Sequence, residues 1–408
     1  MKKLLLYILS LFILAACSNE IPEYHQPVQA KRVILAYLIA NNNLDNDIMK
    51  NVLWMYESLT TAQDSCTLLI YYKPNSTNKY LTIPEILEFQ TNGYGQINNK
   101  EILSGDKLTI ENVLMQAKRH QAVGGVSTNP LVMENNIRIM QNIAPAKSYG
   151  LLFGSHATGW MPAPNIRETF SFGIDGSEYN SINIPEMANA LRNCFSNNLD
   201  FILFDACMMG IAEIYYEFQD VTKYCIASVM ETPRVGFPYH RFFHQLYEEE
   251  INFQQICDEI IAFNKENDLW GTYAAIDCSQ MGRLAEAIRY ELLSHNISRD
   301  DLSHNIQQYG TGDFTYFSFD IKGIVESLNN GSIPPQFQEV LDNVVIAKSC
   351  IDDYDTPPLS LIKDKNNFCG IGMYIPNATG NTTWDNYYRS SISWYNAVGW
   401  SEIIPSNE

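Results

Sequence analysis

The chain has 408 residues, 46% of them hydrophobic, so it can bury a sizeable core and general disorder is excluded. Its 46 acidic residues outweigh 27 Lys and Arg, giving a formal net charge of -19. Such a surface repels nucleic acid and anionic lipid, which removes both as partners and favours basic peptides.

The first segment is an address. Lys2 and Lys3 precede a mostly apolar run, Leu4–Leu14, that is short for a membrane span. The run ends in Leu14-Ala15-Ala16-Cys17, which resembles the lipobox of bacterial lipoproteins. The resemblance implies that residues 1–16 are a signal peptide and that Cys17 becomes the acylated N-terminus. The protein is then expected to be exported and lipid-anchored to the bacterial cell envelope. Ser18-Asn19-Glu20 is compatible with its surface, and the anchor is the one contact with membrane. Residues 17–29 are largely polar with prolines, and read as a tether.

Short apolar runs follow at Val33–Ala40, Thr67–Tyr72, Tyr149–Phe153, Phe201–Phe204 and Tyr224–Val229. Each is continuous rather than alternating, as in parallel strands buried on both faces. Helical patterns lie between them, over Ile110–Arg119, Met133–Ala144, Pro185–Phe195 and Met208–Phe218. The alternation predicts a doubly wound α/β sandwich around a mostly parallel sheet over residues 30–275. Beyond that, helices over Met281–Ser294 and Pro335–Ala347, with strands over Tyr316–Ile321 and Gly370–Ile375, predict a smaller C-terminal α+β subdomain, 276–408. Apart from Cys17, the eight cysteines are scattered, and a chain this long needs no staples, so free, mostly buried thiols are expected.

Open parallel sheets gather reactive groups at the carboxyl ends of their strands. Two runs end in such groups. Tyr149–Phe153 leads into Gly154-Ser155-His156-Ala157-Thr158-Gly159-Trp160, and Phe201–Phe204 leads into Asp205-Ala206-Cys207-Met208-Met209-Gly210. One crossover helix fits between them, so His156 and Cys207 can meet above neighbouring strands. A cysteine at a helix N-terminus favours thiolate, and an imidazole beside it can move the proton. Backbone N–H groups in the Ala157–Gly159 turn and at Cys207 could hold an oxyanion. Asp205, two residues before Cys207, points to the same side in a strand. Taken singly, each residue has a plainer role as core filler or helix cap; the pair in this order points to thiol chemistry.

Ser155-His156 with Gly159-Trp160, followed by Asp205-Ala206-Cys207-Met208-Met209, resembles the clostripain family of cysteine peptidases, within the caspase, legumain and gingipain group. Leu35–Leu44, with its Asn-rich loop, and Ser228–Pro233 carry the likeness further. The resemblance implies a caspase-like α/β/α sandwich and peptide-bond hydrolysis by a Cys207–His156 dyad on protein or peptide substrates. It also implies a preference for Arg or Lys before the cleaved bond. Self-cleavage is expected in the loop Met161–Asn180, whose one basic residue is Arg167. The chain departs from the pattern at Ala157, where relatives have Gly, and at Val235, where basic-specific relatives carry an Asp. Val235 is expected at the base of the specificity pocket, with Asp205 and Glu231 as substitute carboxylates and Trp160 as a further lining residue.

Calcium is the one cofactor the resemblance suggests, with Asp45-Asn46-Asp47 and Asp352-Asp353-Tyr354-Asp355 as acidic clusters, although neither has an EF-hand pattern. His240 and His244 lack a third ligand, and no metal centre is expected. The competing reading is a surface lipoprotein, altered in catalysis, that binds peptide or glycan in the same cleft.

Overall fold

The computed structural model describes residues 30–404 except 63, 93–94, 163–170, 179, 296–305, 311–317, 353–361, 363 and 378–379. Eight strands cross the body. They are β1 (Ala30–Ile39), β2 (Cys66–Lys73), β3 (Glu85–Thr91), β4 (Ala146–Gly154), β5 (Leu199–Asp205), β6 (Tyr224–Ser228), β7 (Thr272–Asp277) and β8 (Val345–Cys350). Their order is β8-β7-β6-β5-β4-β1-β2-β3, with three shorter strands at the β3 edge. The five central strands, β6 to β2 in that order, are mutually parallel, while β3, β7 and β8 run antiparallel to their neighbours.

The continuous apolar runs of β1, β2, β4 and β5 serve two cores at once. In β1, Val33, Leu35, Tyr37 and Ile39 face one layer, and Ile34, Ala36 and Leu38 face the other. The first layer contains α2 (Pro130–Ile143), α3 (Ile184–Cys194), α4 (Ala212–Glu217) and α5 (Met281–Ser294). The opposite layer is built on α1 (Asp45–Leu59) and the helix Phe253–Glu266. The result is the α/β/α sandwich with a mostly parallel sheet that the sequence predicts. Residues beyond 276 add β8 to the main sheet, and their side chains, through Ile404, share the first core with Val33 and Phe153.

Several elements differ in extent. The first helical pattern ends at Gln116, because Lys118–Gln121 pairs antiparallel with β3. The helix from Pro335 stops at Val344, and Val345 begins β8. Of the two late strands, the first includes Ser318–Asp320, with residues 316 and 317 outside the described ones, and the second covers only Gly372–Met373. The largest difference follows Cys207: α4 starts at Ala212 rather than Met208. Met208 has φ +58, its N–H donates to the Met230 carbonyl, and Gly210 N–H donates to the Ser228 carbonyl. The chain after the cysteine is therefore laid against the segment that leaves β6, and a helical turn there would forfeit both bonds. The eight described cysteines are free, six of them buried. Among the described residues, no helix is long and apolar enough to cross a membrane.

Candidate active site

β1 has β2 on one side and β4 on the other, with the crossovers leaving in opposite directions. Loops at the carboxyl ends of β1, β4 and β5 therefore splay apart and leave a crevice. The crevice is a cleft of about 280 Å³. Asn43 and Leu44 line it from the β1 loop, Ser155 and His156 from the end of β4, and Asp205 and Cys207 from the end of β5. Glu231–Arg234 and Gly236, from the segment after β6, form the far wall.

The structure thus brings His156 and Cys207 into one cleft. His156 is half-buried, and its Nε2–H donates to Asn43 Oδ1 at 2.6 Å. That bond fixes the tautomer with the Nδ1 lone pair free to accept a proton. Burial, then the charge of Arg234, lowers the pKa of His156, so the imidazole rests neutral. Burial likewise pushes the Cys207 thiol up to about 12. Cys207 itself is half-buried, so water in the cleft offsets part of that push, but the direction favours thiol over thiolate at rest. The expected helix-dipole activation is absent, since Cys207 is separated from α4 by a turn and its sulfur lies against the main chain of Thr232.

Ala157 forms a bridge with Phe172 whose hydrogen bonds use the His156 carbonyl and the Thr158 N–H. Its own N–H is not consumed there. Ala157 is not among the residues with positive φ, so alanine sits there without backbone strain. Gly159 has φ +75 and turns the chain back into the core. Trp160 is carried inward by that turn. Expected in the pocket, it is fully buried against Tyr374 and Tyr388, with ring centroids at 5.1 and 4.9 Å.

Val235 is also displaced from its expected place. Its side chain packs on the core that contains α1, and its carbonyl accepts from Asn51 Nδ2 at 3.0 Å. Asp205 occupies the base of the cleft instead. Its Oδ2 accepts from Phe237 N–H at 3.0 Å and Tyr239 O–H at 3.1 Å. Desolvation raises the carboxyl to about 6 against the pull of those two donors. Gly236, at φ +72, lets the chain pass this close: a Cβ there would sit 2.7 Å from Asp205 Oδ2 and 2.8 Å from Asn51 Oδ1. Glu231 lines the same cleft, near the thiol.

Asn43 and Arg234 are site residues that sequence reasoning missed. The three successive asparagines have different tasks. Asn41 Nδ2 donates to Asp175, Asn42 Nδ2 to the Ile39 and Ile174 carbonyls, and Asn43 takes the histidine. The run of asparagines was visible, but only tertiary contacts separate these tasks. Arg167 and Cys17 lie outside the described residues, as do 353–361. Asp45 and Asp47 of the first acidic cluster are both engaged by other side chains. Asp45 is buried and holds Tyr72 and Asn78, and Asp47 pairs with Arg234. Among the described residues no group of three His, Cys, Asp or Glu could hold a metal. His244 bonds Ser58 and His240 packs on Trp54.

Residues 36–406 match the profile of Peptidase C11, the clostripain family. Clostripain of Hathewaya histolytica is 21% identical over 437 residues, covering 90% of this chain and 80% of that one. A secreted C11 cysteine protease from Bacteroides thetaiotaomicron, solved with an irreversible peptide inhibitor, superposes with a TM-score of 0.70. It is 23% identical and covers 91% of this chain and 100% of its own. An inactive zymogen C11 protease from Parabacteroides distasonis has a TM-score of 0.67, 23% identity, and coverage of 91% and 99%. At these identities the structural likeness speaks for the fold.

Proposed function

The chain belongs to the clostripain family of cysteine peptidases, and on that premise we propose that Cys207 is the nucleophile, His156 its acid and base, and Asp205 the acceptor of a basic side chain before the cleaved bond. The observation that carries the proposal is the common cleft: all three line it, at the ends of β4 and β5.

At rest the pair is thiol and neutral imidazole, the form in which His156 can act as base. Substrate binds with its scissile carbonyl over Cys207. The thiol proton passes to His156 Nδ1 as sulfur attacks the carbonyl carbon and the carbonyl electron pair moves to oxygen. The N–H groups of Ala157 and Cys207 are the candidates to hold that oxyanion. Protonated His156, steadied by Asn43 Oδ1, gives its proton to the leaving amine and leaves a thioester. Water then attacks, losing its proton to His156, and releases the acid and the thiol. At neutral pH the Asp205 carboxyl, raised to about 6, is largely ionised and matches Arg or Lys in the substrate. The acidic surface supports such a partner over a longer range. Acylation at Cys17 and self-cleavage after Arg167 complete the proposal and rest on the sequence.

The test is hydrolysis of a fluorogenic peptide library, varied at the residue before the cleaved bond, by residues 18–408 and by Cys207→Ala. It is run under reducing conditions with and without calcium. Cleavage after Arg and Lys that vanishes in the variant is expected. Binding without cleavage in both proteins would instead favour a peptide-holding lipoprotein.

A further inference from the structure

We infer that Arg234 is a positioning residue for the reaction, a guanidinium fork that ties the Asn43 loop to the opposite rim of the cleft and so holds the His156 ring in place. The inference rests on the reading of His156 as acid and base.

The chain of contacts is continuous. Arg234 Nε donates to Asp47 Oδ2 at 2.6 Å and Nη2 to the Asn43 carbonyl at 2.7 Å. The side chain of the same Asn43 receives His156 Nε2–H at 2.6 Å. Arg234 stands on a turn closed by Gly236 N–H to the Pro233 carbonyl at 2.9 Å. The turn is gripped twice by one face of α1, because Asp47 and Asn51 lie four residues apart, the first holding Arg234 and the second the Val235 carbonyl. The loop that orients the base and the turn that borders Asp205 are therefore fastened to each other at the cleft.

Stability does not account for this arrangement. The Arg234 side chain is 62% exposed and that of Asp47 28%, and an ion pair so open to water contributes little to folding. Its geometry is the informative part. A planar fork reaches a carboxylate and a carbonyl together, which the single point charge of lysine does not. The cation also sits near His156 and disfavours the imidazolium. Cys207, Asp205, Glu231 and Tyr239 are the other titratable groups lining this cleft, and Asp47 pairs with Arg234.

The experiment compares wild type, Arg234→Gln and Arg234→Lys in residues 18–408, with kcat and KM measured across pH on a basic peptide substrate. In parallel, NMR titration of the His156 ring in the Cys207→Ala background reads the contact without turnover. In Arg234→Gln, kcat should fall about tenfold or more while KM stays within about twofold. Its acid limb and the His156 pKa should both rise by about half a unit or more. Arg234→Lys should keep the pH limb near that of wild type yet lose kcat, separating charge from fork. It also carries the test should the Gln variant fold poorly. An unchanged kcat in both variants, or a raised KM alone, would overturn the inference and make Arg234 a bystander or a substrate contact. If wild-type cleavage proved independent of Cys207, the parent reading would fail, whereas the NMR titration would still report on Arg234.

Discussion

Replacing Asp205 by Asn should make the protein more stable and much less active, with opposite pH signatures for the two effects. Asp205 is buried at the cleft base, and its carboxyl is raised from 3.8 to about 6. Below pH 4 both folded and unfolded chains hold the proton, and burial of the neutral acid carries no ionic cost. Between about pH 4 and 6 the unfolded chain releases its proton while the folded one keeps it, so stability falls as pH rises. Above 6 the cost is complete, up to about 3 kcal/mol for a shift of roughly two units. Asn has no charge to desolvate, and its side-chain oxygen can still accept from Phe237 N–H and Tyr239 O–H. Asp205→Asn should therefore unfold at higher denaturant at pH 8 and converge with wild type near pH 4. Activity moves the other way. A substrate guanidinium left without its buried partner costs about 3–5 kcal/mol, a fall of roughly a hundred- to several-thousand-fold in kcat/KM. The same peptide with citrulline in place of arginine should lose less than about tenfold. In wild type, kcat/KM for the arginine peptide should also rise through pH 6 as Asp205 ionises. An equal loss on both peptides, or a variant less stable at pH 8, would refute the assignment of Asp205 as the basic-side-chain acceptor.

Asn43→Ala removes the acceptor of His156 Nε2–H, and kcat should fall about 10- to 100-fold with the fold intact by circular dichroism. Asn43→Asp keeps an acceptor and adds a negative charge, so the acid limb of kcat/KM should move up in pH rather than kcat collapsing. Gly236→Ala combines a left-handed φ of +72 with a Cβ 2.7 Å from Asp205 Oδ2. It should cost about 1–3 kcal/mol in denaturant unfolding and weaken cleavage of basic substrates.

The sheet was legible because its signal is local: five continuous apolar runs, each long enough for one strand and too uniform for a half-exposed one. The placing of His156 and Cys207 along one cleft followed from strand ends plus one crossover, which topology constrains tightly. What failed were side-chain directions and one helix start. Met208–Gly210 is apolar and helix-compatible by pattern, yet the nearby main chain of Ser228 and Met230 offers hydrogen bonds that propensity does not see. Trp160 and Val235 were placed in the pocket by the family resemblance, which fixes positions in sequence and not side-chain directions. In the structure Gly159 at φ +75 and Gly236 at φ +72 mark the turns, and Trp160 and Val235 beside them pack on the core.

That displacement bears on specificity. With Val235 packed on the core that contains α1, an aspartate at 235 would not point into the cleft from the present backbone. The base of the cleft is organised around Asp205, whose Oδ2 is spent on Phe237 and Tyr239, while Glu231 lines the cleft near the thiol. One oxygen of Asp205 is then left to meet the cationic side chain of the proposed substrate. A single oxygen suits the compact ammonium of lysine as well as it suits arginine, because the bidentate fit that favours guanidinium needs both oxygens of one carboxylate. Discrimination between arginine and lysine in this chain should accordingly be slight. Restoring a strong arginine preference would take a change in the Pro233–Gly236 turn, not one substitution at 235.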